Sequence, residues 1–230
     1  MSSDPPDDNP QQPDELAQLP HGRHGLPPEF VDHNQRQRLI ASFTQLVGEV
    51  GYSGATITAV TEGAGVSSRT FYKFFETIDD ICVAAFDQGV EEVRAVLVEA
   101  WRPQDDWPDR VRATLAALLG EFAALPELAR LLTAEPFVAG PEIARRHKAV
   151  IEEMVPFVRE GRELLSEPGA LPDSAERGFL GAVDSMIARH VVAGDAGKLP
   201  GLLPDLTQFV LAPYLGAQAA RRLAAGSATE

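Results

Sequence analysis

Apolar residues recur along this chain at spacings of three and four, and no segment alternates with the period of two that marks a strand. Leu39, Phe43, Leu46, Val47 and Val50 share one side of a helix predicted over residues 34 to 50, which Gly51 stops. A second helix is predicted over 57 to 64, with Thr56 as its cap and Ile57, Val60 and Ala64 on its apolar side. Gly65 ends it, because glycine takes positive φ without a Cβ clash. Ser67 can then cap a third helix, Ser68 to Phe74, whose bulky apolar residues are Phe71 with Phe74 or Phe75.

Beyond this point the pattern is coarser and still helical. Thr77 to Asp80 matches a capping box ahead of a stripe of Phe86, Val90, Val93, Leu97 and Trp101 that Pro103 closes. Asp106-Trp-Pro opens another helix, with Val111, Leu115, Leu118 and Phe122 in register and Pro126 as its stop. A short helix to about 134 and a longer one over 141 to 165, kinked at Pro156, follow. Two last helices carry wide apolar stripes. One holds Phe179, Leu180, Val183, Met186, Ile187, His190 and Val191, the other Leu202, Leu203, Leu206, Phe209, Val210 and Tyr214. The expected fold is all-α: a three-helix head over 26 to 80 and a helical body over 81 to 226, with residues 1 to 25 disordered.

The stretch TITAVTEGAGVSSRTFYKFF, Thr56 to Phe75, carries the chemistry. Two short helices hinged at a glycine form a helix-turn-helix layout, in which the second helix enters the DNA major groove by its N-terminal end. Arg69 is the base-reading candidate, since its planar fork matches guanine O6 and N7. Ser68 and Thr70 are small enough to lie near the groove floor. Tyr72, Lys73 and the Thr56 cap suit phosphate contacts, as do Arg36 and Arg38 at the start of the first helix, and the Ser67 cap is counted with the DNA-binding residues. The competing reading of the same residues is an ordinary solvated helical hairpin.

Residues 35 to 80, with G51-Y52, T56-I57, A64-G65-V66-S67, T70-F71-Y72 and F75, resemble the DNA-binding domain of the TetR family of bacterial transcriptional regulators. More weakly, HGLPPEFV upstream and LAPYLG at 211 to 216 are similar to segments of actinobacterial members. The resemblance implies an all-helical homodimer whose larger C-terminal domain binds an inducer or corepressor. Phe74 and Ile78 depart from the family pattern, which commonly places a phosphate-contacting His and Lys there.

Composition qualifies this picture. The 230 residues, 44% hydrophobic, are enough for a sizeable core, and the net charge of −14 at first argues against a polyanion as partner. The distribution reverses that argument. Residues 34 to 75 hold Arg36, Arg38, Arg69 and Lys73 against Glu49 and Glu62, whereas the acids gather beyond residue 75, where they repel DNA from everything except the head. So thin a basic footprint predicts weak binding to random duplex. The single Cys82 fits a reducing compartment, and no run reaches membrane-spanning length, so a cytoplasmic protein is expected. Residues 21 to 25, HGRHG, are either a minor-groove arm or plain linker.

Small residues beside the last two stripes allow close helix approach, and four such helices from two chains would form a two-fold interface through Phe179, Val183, Met186, Ile187, His190, Leu206, Phe209, Val210 and Tyr214. The alternative is a monomer core. Trp101, Trp107, Phe122, Phe137, Met154 and Phe157 are candidate walls of an effector cavity, though each also suits a core. His147 lies in a charged run, R145-R-H-K148, read as a solvated face, and His190 reads as a satisfied core histidine. No metal spacing, phosphate loop or catalytic triad is present, and no cofactor is expected. The favoured function is a repressor released from a near-palindromic operator by a small molecule. An enzyme or ligand-binding module with an incidental head, and a corepressor-dependent regulator or activator, are the alternatives.

Overall fold

The computed structural model describes residues 27 to 167 and 169 to 226, which form ten α-helices. Residues 1 to 25, with the arm at 21 to 25, lie outside the described residues. In chain order the helices are α1 (Pro28–Val50), α2 (Ile57–Ala64), α3 (Ser68–Phe74), α4 (Ile78–Trp101), α5 (Trp107–Ala124), α6 (Pro126–Thr133), α7 (Pro141–Arg159), α8 (Ala175–Val192), α9 (Leu203–Leu215) and α10 (Ala217–Ala224). No strand occurs among the described residues.

Where the chain departs from its apolar pattern, prolines and glycines explain the difference. α1 begins at Pro28, six residues before the predicted start, because proline at the first helical position loses only an N–H that would be unpaired anyway. α7 ends at Arg159, three residues after Pro156, and continues to Leu164 as a tighter 3-10 turn. α10 was not expected as a separate helix. Gly216 at φ 80° turns the chain out of α9, and Ala220 and Ala224 are buried on the return.

The apolar core is continuous from head to body. Leu39, Phe43 and Val47 of α1, Val60 of α2, Phe71 of α3 and Ile81 and Cys82 of α4 are all fully buried, and the same core extends through α5, α6, α8 and α9 to Tyr214. Burial, followed by the nearby Asp79 and Glu135 carboxylates, pushes the Cys82 thiol up to about 12, so this sulfur behaves as a small apolar filler. α4 crosses the expected division between residues 80 and 81 without a break. Its N-terminus carries the capping box, in which Thr77 accepts from the Asp80 N–H and the Asp80 carboxylate accepts from the Thr77 N–H.

Within the body, Glu176 of α8 has no exposed surface and is held by Arg162, whose Nε and Nη2 donate to its two oxygens at 2.5 and 3.0 Å. Arg162 also donates to the Leu171 and Pro172 carbonyls, strapping the α7–α8 connection to α8. Burial drives the Glu176 carboxyl up, but the hydrogen bonds from Arg162 and the charges of Arg162 and Arg159 outweigh it and hold the group below the usual carboxylate range. A carboxyl depressed in the folded state stabilises it above the unfolded value of about 4.3, and that contribution disappears as pH falls through the folded value. Thermal unfolding measured from pH 6 downward is expected to show stability falling below about pH 4.3, and Glu176→Gln is expected to flatten the decline. Identical acid profiles for the two proteins would refute the assignment.

Candidate nucleic-acid interface

The head is built by local bonds that place one face of α3 outward. Thr56 Oγ1 accepts from the Ala59 N–H at 3.2 Å, which starts α2. At its end Gly65 takes the left-handed conformation, φ 61° and ψ 39°, and the Val66 N–H returns to the Thr61 carbonyl at 3.0 Å. Ser67 Oγ then accepts from the Thr70 N–H at 3.2 Å and lies 3.0 Å from Thr70 Oγ1. Phe71 is fully buried and its ring meets that of Phe75, 5.7 Å away, so of the two aromatic partners considered for it Phe75 is the buried one. Ser68, Arg69, Tyr72 and Lys73 are exposed, and Thr70 is half-buried.

These placements sort the nine residues expected to touch DNA. Ser68 and Arg69 stand in the first turn of α3, and among the described residues Arg69 has no ion pair or hydrogen bond from its side chain. Tyr72 is 59% exposed, with its ring edge against Phe71. Thr56 and Ser67 spend their hydroxyls on helix caps. The four basic residues differ most. Arg38 donates through Nη2 to the Ala64 carbonyl at the end of α2. Arg36 lies over the Phe75 ring, 5.5 Å from its centroid. Lys73 pairs with Asp32 of α1 and lies 5.3 Å from the Phe74 centroid.

The seat of the head on the body was not foreseen. Glu135, 3% exposed, accepts from Arg130 Nε at 2.8 Å and from the Tyr52 N–H at 3.1 Å, while Arg130 also donates to the Gly48 carbonyl near the end of α1. The Tyr52 hydroxyl donates to Asp79 in the first turn of α4. Tyr52, two residues after α1, thus bonds both to Glu135 and to the start of α4. The only hint in the chain is a lone acid in the apolar run LLTAEPFV.

The six residues named for an effector cavity differ in their surroundings. Trp107 and Phe122 are core residues. The indole N–H of Trp107 donates to the Phe157 carbonyl at 2.8 Å, its ring stacks edge-on with Tyr214, and a methyl added at Gly161 would come within 2.4 Å of it. Trp101 and Phe157 meet edge to face at 5.4 Å, with Phe157 42% exposed, and Met154 is half-buried. Phe137 is 70% exposed, and its ring meets that of His147 edge-on. His147 itself turns inward from its charged run to Asp184 Oδ1 at 3.2 Å, correcting its reading as part of a solvated face. His190 Nδ1 lies 2.9 Å from the Met186 carbonyl.

The expected subunit contact divides in the same way. Val183, Ile187, Leu206, Val210 and Tyr214 are buried inside the protomer, because α8 and α9 turn these positions towards α5 and α6. Phe179, Met186 and His190 are half-buried and Phe209 is 42% exposed, with the Phe179 and Phe209 rings 5.9 Å apart. Val192, on α8, is 66% exposed. No helix of the described residues is long and apolar enough to cross a membrane.

With the geometry in place, three comparisons converge. Residues 39–85 match the family described as bacterial regulatory proteins, tetR family. Over 191 residues the chain is 22% identical to the HTH-type transcriptional regulator EthR of Mycolicibacterium smegmatis, covering 82% of this chain and 87% of that protein. The fold is similar to that of the fatty acid degradation regulator FadR from Bacillus halodurans, with TM-score 0.67, 19% identity, and 77% and 94% of the two chains covered. It is also similar to FadR from Bacillus subtilis, solved in complex with stearoyl-CoA, with TM-score 0.66, 15% identity and 78% and 98% covered. A head matched over residues 39–85 by the tetR family, on a helical body whose fold is similar to that of solved regulators, supports a ligand-responsive DNA-binding regulator.

Proposed function

We propose that the protein is a homodimeric repressor that holds a near-palindromic operator through α3 and lets go when a small molecule binds its body. The observation that carries this reading is the division of α3. Phe71 fixes one side in the core, while Ser68, Arg69 and Tyr72 stand exposed on a helix whose capped N-terminus is free to enter a groove. Two heads related by a two-fold axis would meet half-sites about 34 to 36 Å apart. The surface that remains for pairing is the strip of Phe179, Met186, His190 and Phe209 on α8 and α9, joined by Val192.

Release follows from linkage: a ligand shifts the population only by its differential affinity for the two head positions. The Glu135 and Arg130 seat and the unbroken α4 are the connections through which such a shift reaches α3. Since the Bacillus subtilis relative binds stearoyl-CoA, acyl-coenzyme A thioesters are the first effector class to test.

The test of the reading is Arg69→Ala against an operator selected from random duplexes. Loss of a bidentate guanine contact is expected to cost about 1 to 3 kcal/mol per head and to relax preference at one base position per half-site. Unchanged affinity and unchanged preference would remove Arg69 from the reading head.

A further inference from the structure

Asp32 is an acid on the DNA-facing side of a domain that must approach a polyanion. It belongs to α1, and its carboxylate forms an ion pair with Lys73, the last basic residue of α3, across 41 positions of sequence. Both side chains are about half exposed, at 40% and 51%, so the pair sits at the surface on the flank of the reading helix and is not a core contact. The other basic groups near α3 are also engaged: Arg36 lies over Phe75, and Arg38 is bonded to the Ala64 carbonyl. Arg69 is the exception, with no such partner among the described residues. Charges available for sequence-independent contact are therefore held back, and the one suited to base reading is left open.

From this geometry we infer that Asp32 is a specificity-determining residue, which acts by holding Lys73 away from the phosphate backbone until a matched site is engaged. The inference rests on the DNA-reading role of α3 proposed above. Its physical basis is exchange. An exposed ion pair is weak, so a phosphate can displace Asp32 from Lys73, but the displaced carboxylate then faces the same backbone. On random duplex, where phosphate contacts supply essentially all the affinity, that opposition takes a large share of the total. On the operator, base contacts fix a single register, in which Lys73 can meet its phosphate with Asp32 turned aside, so the opposition itself is smaller there. The carboxylate thus lowers background binding more than it lowers specific binding, which raises the ratio between them.

The experiment measures binding of full-length wild type, Asp32→Asn, Lys73→Ala and the double variant to operator and to random duplex across a salt series. Asp32→Asn is expected to bind random duplex about tenfold more tightly, with a smaller gain on operator. The slope of log affinity against log salt should steepen by about one, as one further phosphate is neutralised. Lys73→Ala should cost little alone and remove most of the gain in the Asp32→Asn background. A merely structural ion pair would change stability and leave the salt slope untouched. If wild type binds operator and Asp32→Asn changes neither affinity nor slope, or if Lys73→Ala costs the same in both backgrounds, the inference is overturned while the DNA-reading role stands. If no variant binds duplex DNA with any sequence preference, that role falls and the inference with it.

Discussion

Arg130→Met is expected to destabilise the protein by about 3 kcal/mol, because it strands the Glu135 carboxylate in the seat between head and body. Glu135 is 3% exposed, and its charge is balanced by Arg130 Nε at 2.8 Å and supported by the Tyr52 N–H at 3.1 Å. Methionine preserves most of the arginine stem but supplies neither charge nor donors, leaving a buried anion with a single amide bond. The Gly48 carbonyl near the end of α1 loses a donor as well. Making Glu135 neutral in the same protein separates the terms: Arg130→Met with Glu135→Gln keeps an acceptor for Tyr52 and removes the charge, so most of the lost stability should return. Urea unfolding of the three proteins measures this. Equal losses in the single and double variants would show that the buried charge is not the source. Even where stability is recovered, operator affinity is expected to stay below wild type, since the tie between α1, α6 and Tyr52 that sets the angle of the head is gone.

The second large effect belongs to Phe71→Ala. Phe71 has no exposed surface and packs on Phe75, so truncation removes the contact that fixes α3 and leaves a cavity between α3 and α1. A cost of about 3 to 5 kcal/mol is expected. Because the head shares its core with the body, the loss should appear as one transition lowered by roughly 10 °C in differential scanning calorimetry, not as a separate melting of the head. Operator binding should fall far more than in Phe71→Leu, which keeps an apolar anchor at the same place. Normal operator binding by Phe71→Ala at 25 °C would mean that α3 is fastened by something other than this ring.

These two sites illustrate how differently parts of the chain can be read. Phe71 was identifiable because the reading needed only the eight residues 67 to 74: a cap at Ser67, a short helix and one bulky apolar position opposite its polar ones. Glu135 was not, because its partner Tyr52 lies 83 residues away and nothing in either neighbourhood names the other. The effector and subunit assignments are harder to read for a related reason. An apolar stripe marks which side of a helix avoids water, not whether its cover is another helix of the same protomer, a partner subunit or a ligand. Val183, Ile187 and Leu206 are covered from within, as are Trp107 and Phe122, while Phe179 and Phe209 are left at the edge.

What the sequence by itself determined is the local grammar of an all-helical regulator. The Thr56, Ser67 and Thr77 caps, the left-handed Gly65 and the outward face of α3 all arise from bonds and conformations spanning three or four residues. Tertiary structure alone decided the use of the charges. Whether Arg38 serves a phosphate or the Ala64 carbonyl, whether Lys73 is free or paired with Asp32, and where the head is seated depend on groups 26, 41 and 83 positions apart, respectively. Long flexible cations and lone acids carry no periodicity, so their partners are set only when packed helices bring distant parts of the chain within reach of a hydrogen bond.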